Sequence, residues 1–330
     1  AGARPHRARM TPPPSLRRTL LALAPLLAAA HARRADVRLV GEGTVSTPAY
    51  ESAATVAPDG RTLYFAKRPP VGYFSVICVS RLVDGRWTEP EVAEFSGGAA
   101  SDADPFLSPD GRRLYFASTR RADGAPRGDH DLWVVERTAD GWGEPRPVGG
   151  TVNSPGDELH PTVDRAGTLY FASTRPGSRG VDLYRAAPTA AGHDAPVRLD
   201  SAINARPVDA HPAISPDGAT LVFSSTGRAD ERLHDGMPYA RGDLYVARRE
   251  GDRWSAPRRL ADGINSPAAE SSPRFTPDGA RLLFTSERGF AMLPFGRRVS
   301  YREHRRGVRG VENGQGNVYE VDARALAASP

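Results

Sequence analysis

Five carboxylates, Glu51, Asp102, Glu158, Asp209 and Glu270, recur along the chain, each just ahead of a turn and an apolar segment. Two positions further on stand Ala53, Asp104, His160, His211 and Ser272, and a proline follows in four of the five cases, at Pro105, Pro161, Pro212 and Pro273. On a regular strand a spacing of two places both sets on one face. Two imidazoles and a carboxylate on one face are ligands for a divalent transition metal, which would polarise a substrate oxygen or activate a water. A ring of acids is also the raw material of glycoside hydrolysis, which needs two carboxyl groups roughly 5 to 9.5 Å apart. The competing structural account has each acid accepting hydrogen bonds from backbone or arginine, and each histidine packing on its proline. Five unneutralised carboxylates at one level are costly, so a cation, an arginine or a proton must lie close by.

The elements that would position these residues are repeats. Pro58-Asp59-Gly60 opens a segment ending at Phe65, and the same pattern returns at Ser108 to Phe116, Ser215 to Phe223 and Thr276 to Phe284, with a degenerate copy, one residue shorter, at Asp164 to Phe171. Proline fixes φ at the first corner of the turn, aspartate accepts from the local backbone, and glycine supplies a positive φ. Each turn leads into an apolar strand, the second of its unit, then into a third at Asp131-Leu132-Trp133, Asp182-Leu183-Tyr184, Asp243-Leu244-Tyr245 and Asn317-Val318-Tyr319. In the first unit this third strand is Val76-Ile77-Cys78, which makes Cys78 a buried strand residue rather than a reactive thiol. A connection follows at Trp87, Trp142 and Trp254, with His193 standing at the tryptophan position as a packing substitute, and a fourth stretch comes after it.

The closing phenylalanines recur every 51 to 61 residues, a period that suits a four-stranded propeller blade. Val37 to Val45 repeats the fourth stretch with no unit before it, and the last unit stops after its third strand at Asn317-Val318-Tyr319. The expected fold is therefore an all-β, five-bladed β-propeller closed by laying Val37 to Val40 beside Val318. A six-bladed ring lacks a sixth unit. Helical signal is confined to the first 32 residues and to Ala323 to Ala328.

The turn, the Leu-Tyr-Phe and Asp-Leu-Tyr strands and the connections Asn153-Ser154-Pro155 and Asn265-Ser266-Pro267 resemble the WD40-like (Pro-Asp-Gly class) repeats of TolB-type propellers, over essentially residues 36 to 325. That resemblance implies an exported bacterial propeller. It leaves function open, because the class includes envelope scaffolds, domains attached to peptidases and some metal-dependent sugar-cleaving enzymes. Neither an attached hydrolase domain nor a peptidoglycan-binding one is recognisable in the 330 residues.

Residues 1 to 32 read as a secretory signal peptide, with Arg17-Arg18, an apolar run from Thr19 to Ala30 and small residues at Ala30-His31-Ala32 for cleavage after Ala32. Residues 1 to 9 read as lying upstream of a start at Met10. The apolar run is shorter than the roughly 20 residues a membrane-spanning helix needs. The mature domain is expected over 33–330, as a periplasmic or secreted monomer, with the general and twin-arginine export routes both open. The net charge of +5 resides in this leader, whose Arg4, Arg7, Arg9, Arg17 and Arg18 leave 39 basic against 39 acidic residues in the remainder. A neutral body gives no general reason to bind nucleic acid. The local exception is Arg297, Arg298, Arg302, Arg305, Arg306 and Arg309, grouped around Glu303 in a long loop of the last unit, where an anionic partner would bind.

No Gly-x-Ser-x-Gly elbow, phosphate loop or paired-histidine helix motif is present. The expectation is an exported, non-catalytic propeller that binds an envelope protein or polysaccharide, with no cofactor unless one divalent metal ion sits at Asp104, His160 and His211. Its alternative is a secreted sugar-active enzyme with its site at the channel mouth, either a metal-dependent lyase using those three residues or a glycosidase using two of the five acids.

Overall fold

In the computed structural model, residues 2, 35–69, 72, 74–121, 128–230, 242–290 and 297–327 are described. The expected leader over residues 1–32 and its cleavage point lie outside the described residues. Residues 34–330 form one compact unit. Among the described residues no helix is long and apolar enough to cross a membrane.

Five antiparallel sheets make five blades. Their innermost strands, Tyr50–Val56, Asp102–Leu107, Glu158–Val163, Asp209–Ile214 and Glu270–Phe275, contact one another in sequence, and the last contacts the first, so the ring is closed. The Pro-Asp-Gly turns behave as their chemistry requires. Asp59 Oδ1 accepts from the amides of Arg61 and Thr62, at 2.7 and 2.9 Å, while Gly60 sits at φ +66°.

Ring closure follows the expected register. Arg38–Leu39 pairs with Asn317–Asp322, Leu39 opposite Tyr319, and the Val40 amide donates to the Val318 carbonyl at 2.9 Å. The final blade is thus built from both ends of the propeller. The outer strands are short, two residues each where they pair. An asparagine extends the ladder beyond them: Asn204 Oδ1 accepts from the Leu183 amide at 2.7 Å, and its Nδ2 donates to the carbonyls of Leu183 and Leu199. Asn153 and Asn265 make the same two-way bond to Leu132 and Leu244, and Ser46 does so at Val318. A side-chain amide carries both a carbonyl acceptor and N–H donors, and a hydroxyl can likewise donate and accept, so each continues the sheet where the backbone ladder ends.

Apolar packing lies in the seams between blades, one cluster per seam. Phe116 packs with Tyr64 and Trp133 between blades 1 and 2, and Phe65 with Val45 and Val318 between blades 5 and 1. Trp142 meets the Tyr64 ring edge-on at 6.0 Å, and His193 meets Tyr115 in the same manner at 6.5 Å, so His193 does fill the tryptophan position. Cys78 is buried opposite Phe65, and burial pushes its thiol up to about 11.

One element departs from the expected pattern. The loop after the second strand of blade 5 contains a helix, α1 (Tyr301–Arg309), where no helix was expected, and the C-terminal Ala323–Leu326 turn is a 3-10 helix. Ser300 caps α1 by accepting from the Glu303 amide. Gly307 lies so close to the Phe290 ring that a Cβ would overlap it, and the His304 ring lies tilted against the same ring at 5.8 Å. Asn313 Nδ2 donates to the Pro48 carbonyl and to that of Val308, tying the end of α1 to the connection that enters blade 1.

Candidate functional site

The five repeat acids turn away from the ring axis. Each is fully buried, and each is clamped inside its own blade. Glu158 accepts from the Ser154 amide at 2.7 Å, from the Ser154 hydroxyl, from the Ser173 hydroxyl at 2.7 Å and from Arg175 Nη2 at 3.2 Å. Glu270 repeats this set with Ser266, Ser286 and Arg288. Asp102 uses Ser96, Ser118 and Arg120, and Asp209 uses the Arg206 amide, Ser225 and Arg228. Glu51 pairs with Lys67 at 2.9 Å and accepts from Thr47. The cation required to neutralise the ring is therefore present, one per blade, and the serine that closes the second strand shares in every clamp but the first.

Burial raises the Glu270 carboxyl to about 7, against the pull of Arg288 and the Ser266 and Ser286 hydrogen bonds. A folded-state value above the ordinary one means that the stability this group contributes is present at low pH and is lost as pH rises through about 7. Urea midpoints measured between pH 5 and 8 should fall with pH in the wild type, and Glu270→Gln should flatten that fall. A slope unchanged in the variant would remove Glu270 as its source.

The second set of residues does face the axis, because a bulge follows each acid. Pairing slips by one residue within every inner strand, between Leu159 and Thr162 in blade 3, for example. The bulged residues Ala53, Asp104, His160, His211 and Ser272 all have φ between +47° and +55°. A bulge re-aims the side chain, so residues two apart no longer share a face. For non-glycine residues this backbone is strained by about 1–3 kcal/mol each. It recurs in blades carrying alanine and serine, so it belongs to the architecture before it belongs to any chemistry.

At the axis, three consecutive blades bring Asp104, His160 and His211 together. His160 Nε2 lies 3.3 Å from Asp104 Oδ2, the same oxygen accepts from the His160 amide, and the two imidazole rings are 3.7 Å apart at 42°. Burial holds both histidines well below the usual imidazole range, and Arg274 adds to the effect on each. Arg274 is the residue that motif spacing missed. It occupies the position filled by Thr55, Phe106, Thr162 and Ala213 in the other blades, is fully buried, and lies with its guanidinium 5.9 Å from the Phe106 ring. Its Nη1 donates to the carbonyls of Pro212 and Pro273.

Among the described residues no group of three or more His, Cys, Asp or Glu is arranged to hold a metal ion. A guanidinium within the same cluster opposes a divalent cation. The axial residues thus do not fit a metal, and no catalytic step is derived through one.

The arginine group lies on the surface. Arg302, Arg305, Arg306 and Arg309 fall within one arc of α1, at i, i+3, i+4 and i+7, opposite the side on which His304 and Gly307 meet Phe290. All four are exposed; Arg297 pairs with Glu303, and Arg298 is exposed beside it.

No family model matches the chain, and no curated protein matches it. Among solved structures it is similar to TolB from Acinetobacter baumannii, at 14% identity over 82% of this chain and 53% of that one, TM-score 0.43. It is also similar to the α-L-arabinofuranosidase of Podospora anserina in complex with cellotriose, at 12% identity over 85% and 92%, TM-score 0.48. A third is the periplasmic gluconolactonase of Pseudomonas aeruginosa, at 20% identity over 71% and 64%, TM-score 0.41. The chain spans about half the length of TolB. Likeness at these identities is one of fold and gives no residue a role.

Proposed function

We propose that this chain is an exported binding propeller of the Pro-Asp-Gly repeat class that holds an acidic polysaccharide in the envelope space through the arginine stripe of α1. The stripe is the observation that carries the reading: four exposed guanidinium groups on one arc of a capped helix, in a body whose charges balance only with the stripe included. Guanidinium groups match carboxylates in planar, bidentate geometry, and a row of them suits a chain of repeating acids better than a single anion. Export is supported by the leader pattern ending at Ala30-His31-Ala32. The non-catalytic part of the reading is supported by the five clamps, which leave no repeat carboxylate free to act as acid, base or nucleophile.

Binding of polygalacturonate, with its neutral methyl ester as the comparison, tests the proposal. Exchanging Arg302, Arg305, Arg306 and Arg309 for alanine removes four exposed charge contacts of about 0.5–1 kcal/mol each, so affinity should fall roughly 30- to 700-fold. Binding by the wild type should also weaken steeply with salt. Equal affinity for the acid and its ester, or for wild type and the fourfold variant, would sink the proposal. Release of unsaturated or reducing ends from the polymer would instead favour an enzyme.

A further inference from the structure

Each blade pairs its buried repeat acid with a cation of its own, whereas Arg274 is a further buried cation without such an ion pair. Lys67, Arg120, Arg175, Arg228 and Arg288 each lie within 3.3 Å of the carboxylate of their own blade. Arg274 is the most completely buried of the six, and among the described residues it has no carboxylate within ion-pair reach. Asp104, the nearest acid to act on it, directs Oδ2 at His160. Two of the three guanidinium nitrogens, Nε and Nη2, are buried without a hydrogen-bond partner, and so is Nδ1 of His211. Burial pulls the Arg274 guanidinium down to about 10, although Asp104 acts to raise it. An uncompensated buried charge costs several kcal/mol, and native proteins rarely leave one without a counter-ion.

We propose that the propeller axis binds one small monovalent anion, such as chloride, on the free Nε–H and Nη2–H of Arg274, with His211 in its Nδ1–H tautomer as a third donor. Arg274 lies close enough to act electrostatically on His211, so the unpartnered N–H groups of two neighbouring blades are available to the same ion. Oδ2 of Asp104 is engaged by the amide and Nε2 of His160, whose ring lies tilted against His211. The ion would join blades 4 and 5, which contribute His211 and Arg274. It acts as a structural ion of the ring and is independent of the surface stripe on α1.

Crystals of the full chain grown with sodium bromide as the only halide give a direct readout. The proposal expects a bromide anomalous peak at hydrogen-bonding distance from Arg274 Nε and Nη2; an axis with no anomalous peak, or with water in that place, overturns it. In solution, replacing sodium gluconate by sodium bromide at constant ionic strength should raise Tm saturably by about 2–4 °C. Arg274→Met should lose that rise, while Arg274→Lys, which keeps the charge, should retain part of it. If Arg274→Met does not fold, the wild-type bromide crystal decides alone. Identical Tm in the two salts also overturns the proposal.

Discussion

Replacing Glu158 by alanine should destabilise the propeller by about 3–5 kcal/mol, the cost of leaving one partner of a buried ion pair uncompensated. Arg175, with only 12% of its side chain exposed, would keep its contacts with the Ser173 hydroxyl and the Val152 carbonyl but lose its counter-charge. Its stacking over Phe171 and Tyr184, at 5.1 and 4.9 Å, cannot supply the missing charge. The Ser154 amide and the Ser173 hydroxyl would each lose an acceptor in the same stroke. Removing both charges together, in Glu158→Leu with Arg175→Met, should recover most of the loss, because two well-packed apolar groups replace two compensated charges at little net cost. Urea unfolding of the wild type, Glu158→Leu, Arg175→Met and the double variant forms a cycle whose coupling term reads the pair. A single variant within about 1 kcal/mol of wild type would mean the acid is no clamp and is available for other work.

The clamps and the axis show why the fold was legible in the sequence and the site was legible only in part. The Pro-Asp-Gly turn has one local solution, and four copies of it with the degenerate Asp164-Arg165-Ala166-Gly167 fix the blade count before any tertiary contact is known. The site depends on a bulge, which is invisible to residue spacing: reasoning by a period of two placed Glu158 and His160 on one face, whereas the one-residue slip sends the first into its blade and the second to the axis. The cations had a signal that was available, Ser118-x-Arg120, Ser173-x-Arg175 and Ser286-x-Arg288 at the end of the second strand. Arg274 had one too, as a charged residue at a strand position that is apolar or small elsewhere. Helix α1 had none, since Tyr301 to Arg309 carries no apolar period and has a glycine inside it. What makes Gly307 suitable there is the Phe290 ring, a tertiary contact that no window of the sequence contains.

A chain beginning at Ser46 should lose about 3–6 kcal/mol of stability and self-associate, and both effects follow from how the ring is closed. Val40 and Val45 are buried in the seam between the last blade and the first, against Phe65, Leu283 and Val318, and burying each valine is worth about 1.5–3 kcal/mol. Gly41 permits this packing: at φ +57° its Cβ position lies 2.8 Å from Val45, so the chain can reverse there only without a side chain. With these residues gone, the backbone of Asn317–Asp322 facing Arg38–Leu39 has no partner, and an unpaired strand edge is a template for another chain. Loss of stability and gain of association thus have separate causes, apolar burial and ladder pairing, and they can be separated. Val45→Ala in the full-length chain should lower the urea midpoint while leaving the protein in the oligomeric state of the wild type by light scattering. A synthetic peptide spanning residues 35–47, added to the truncated chain, should suppress its association by restoring the edge. A truncated chain with the wild-type urea midpoint and no added association would show that the ring holds without its N-terminal strand, and that the seam between blades 5 and 1 is closed by inner-strand contacts alone.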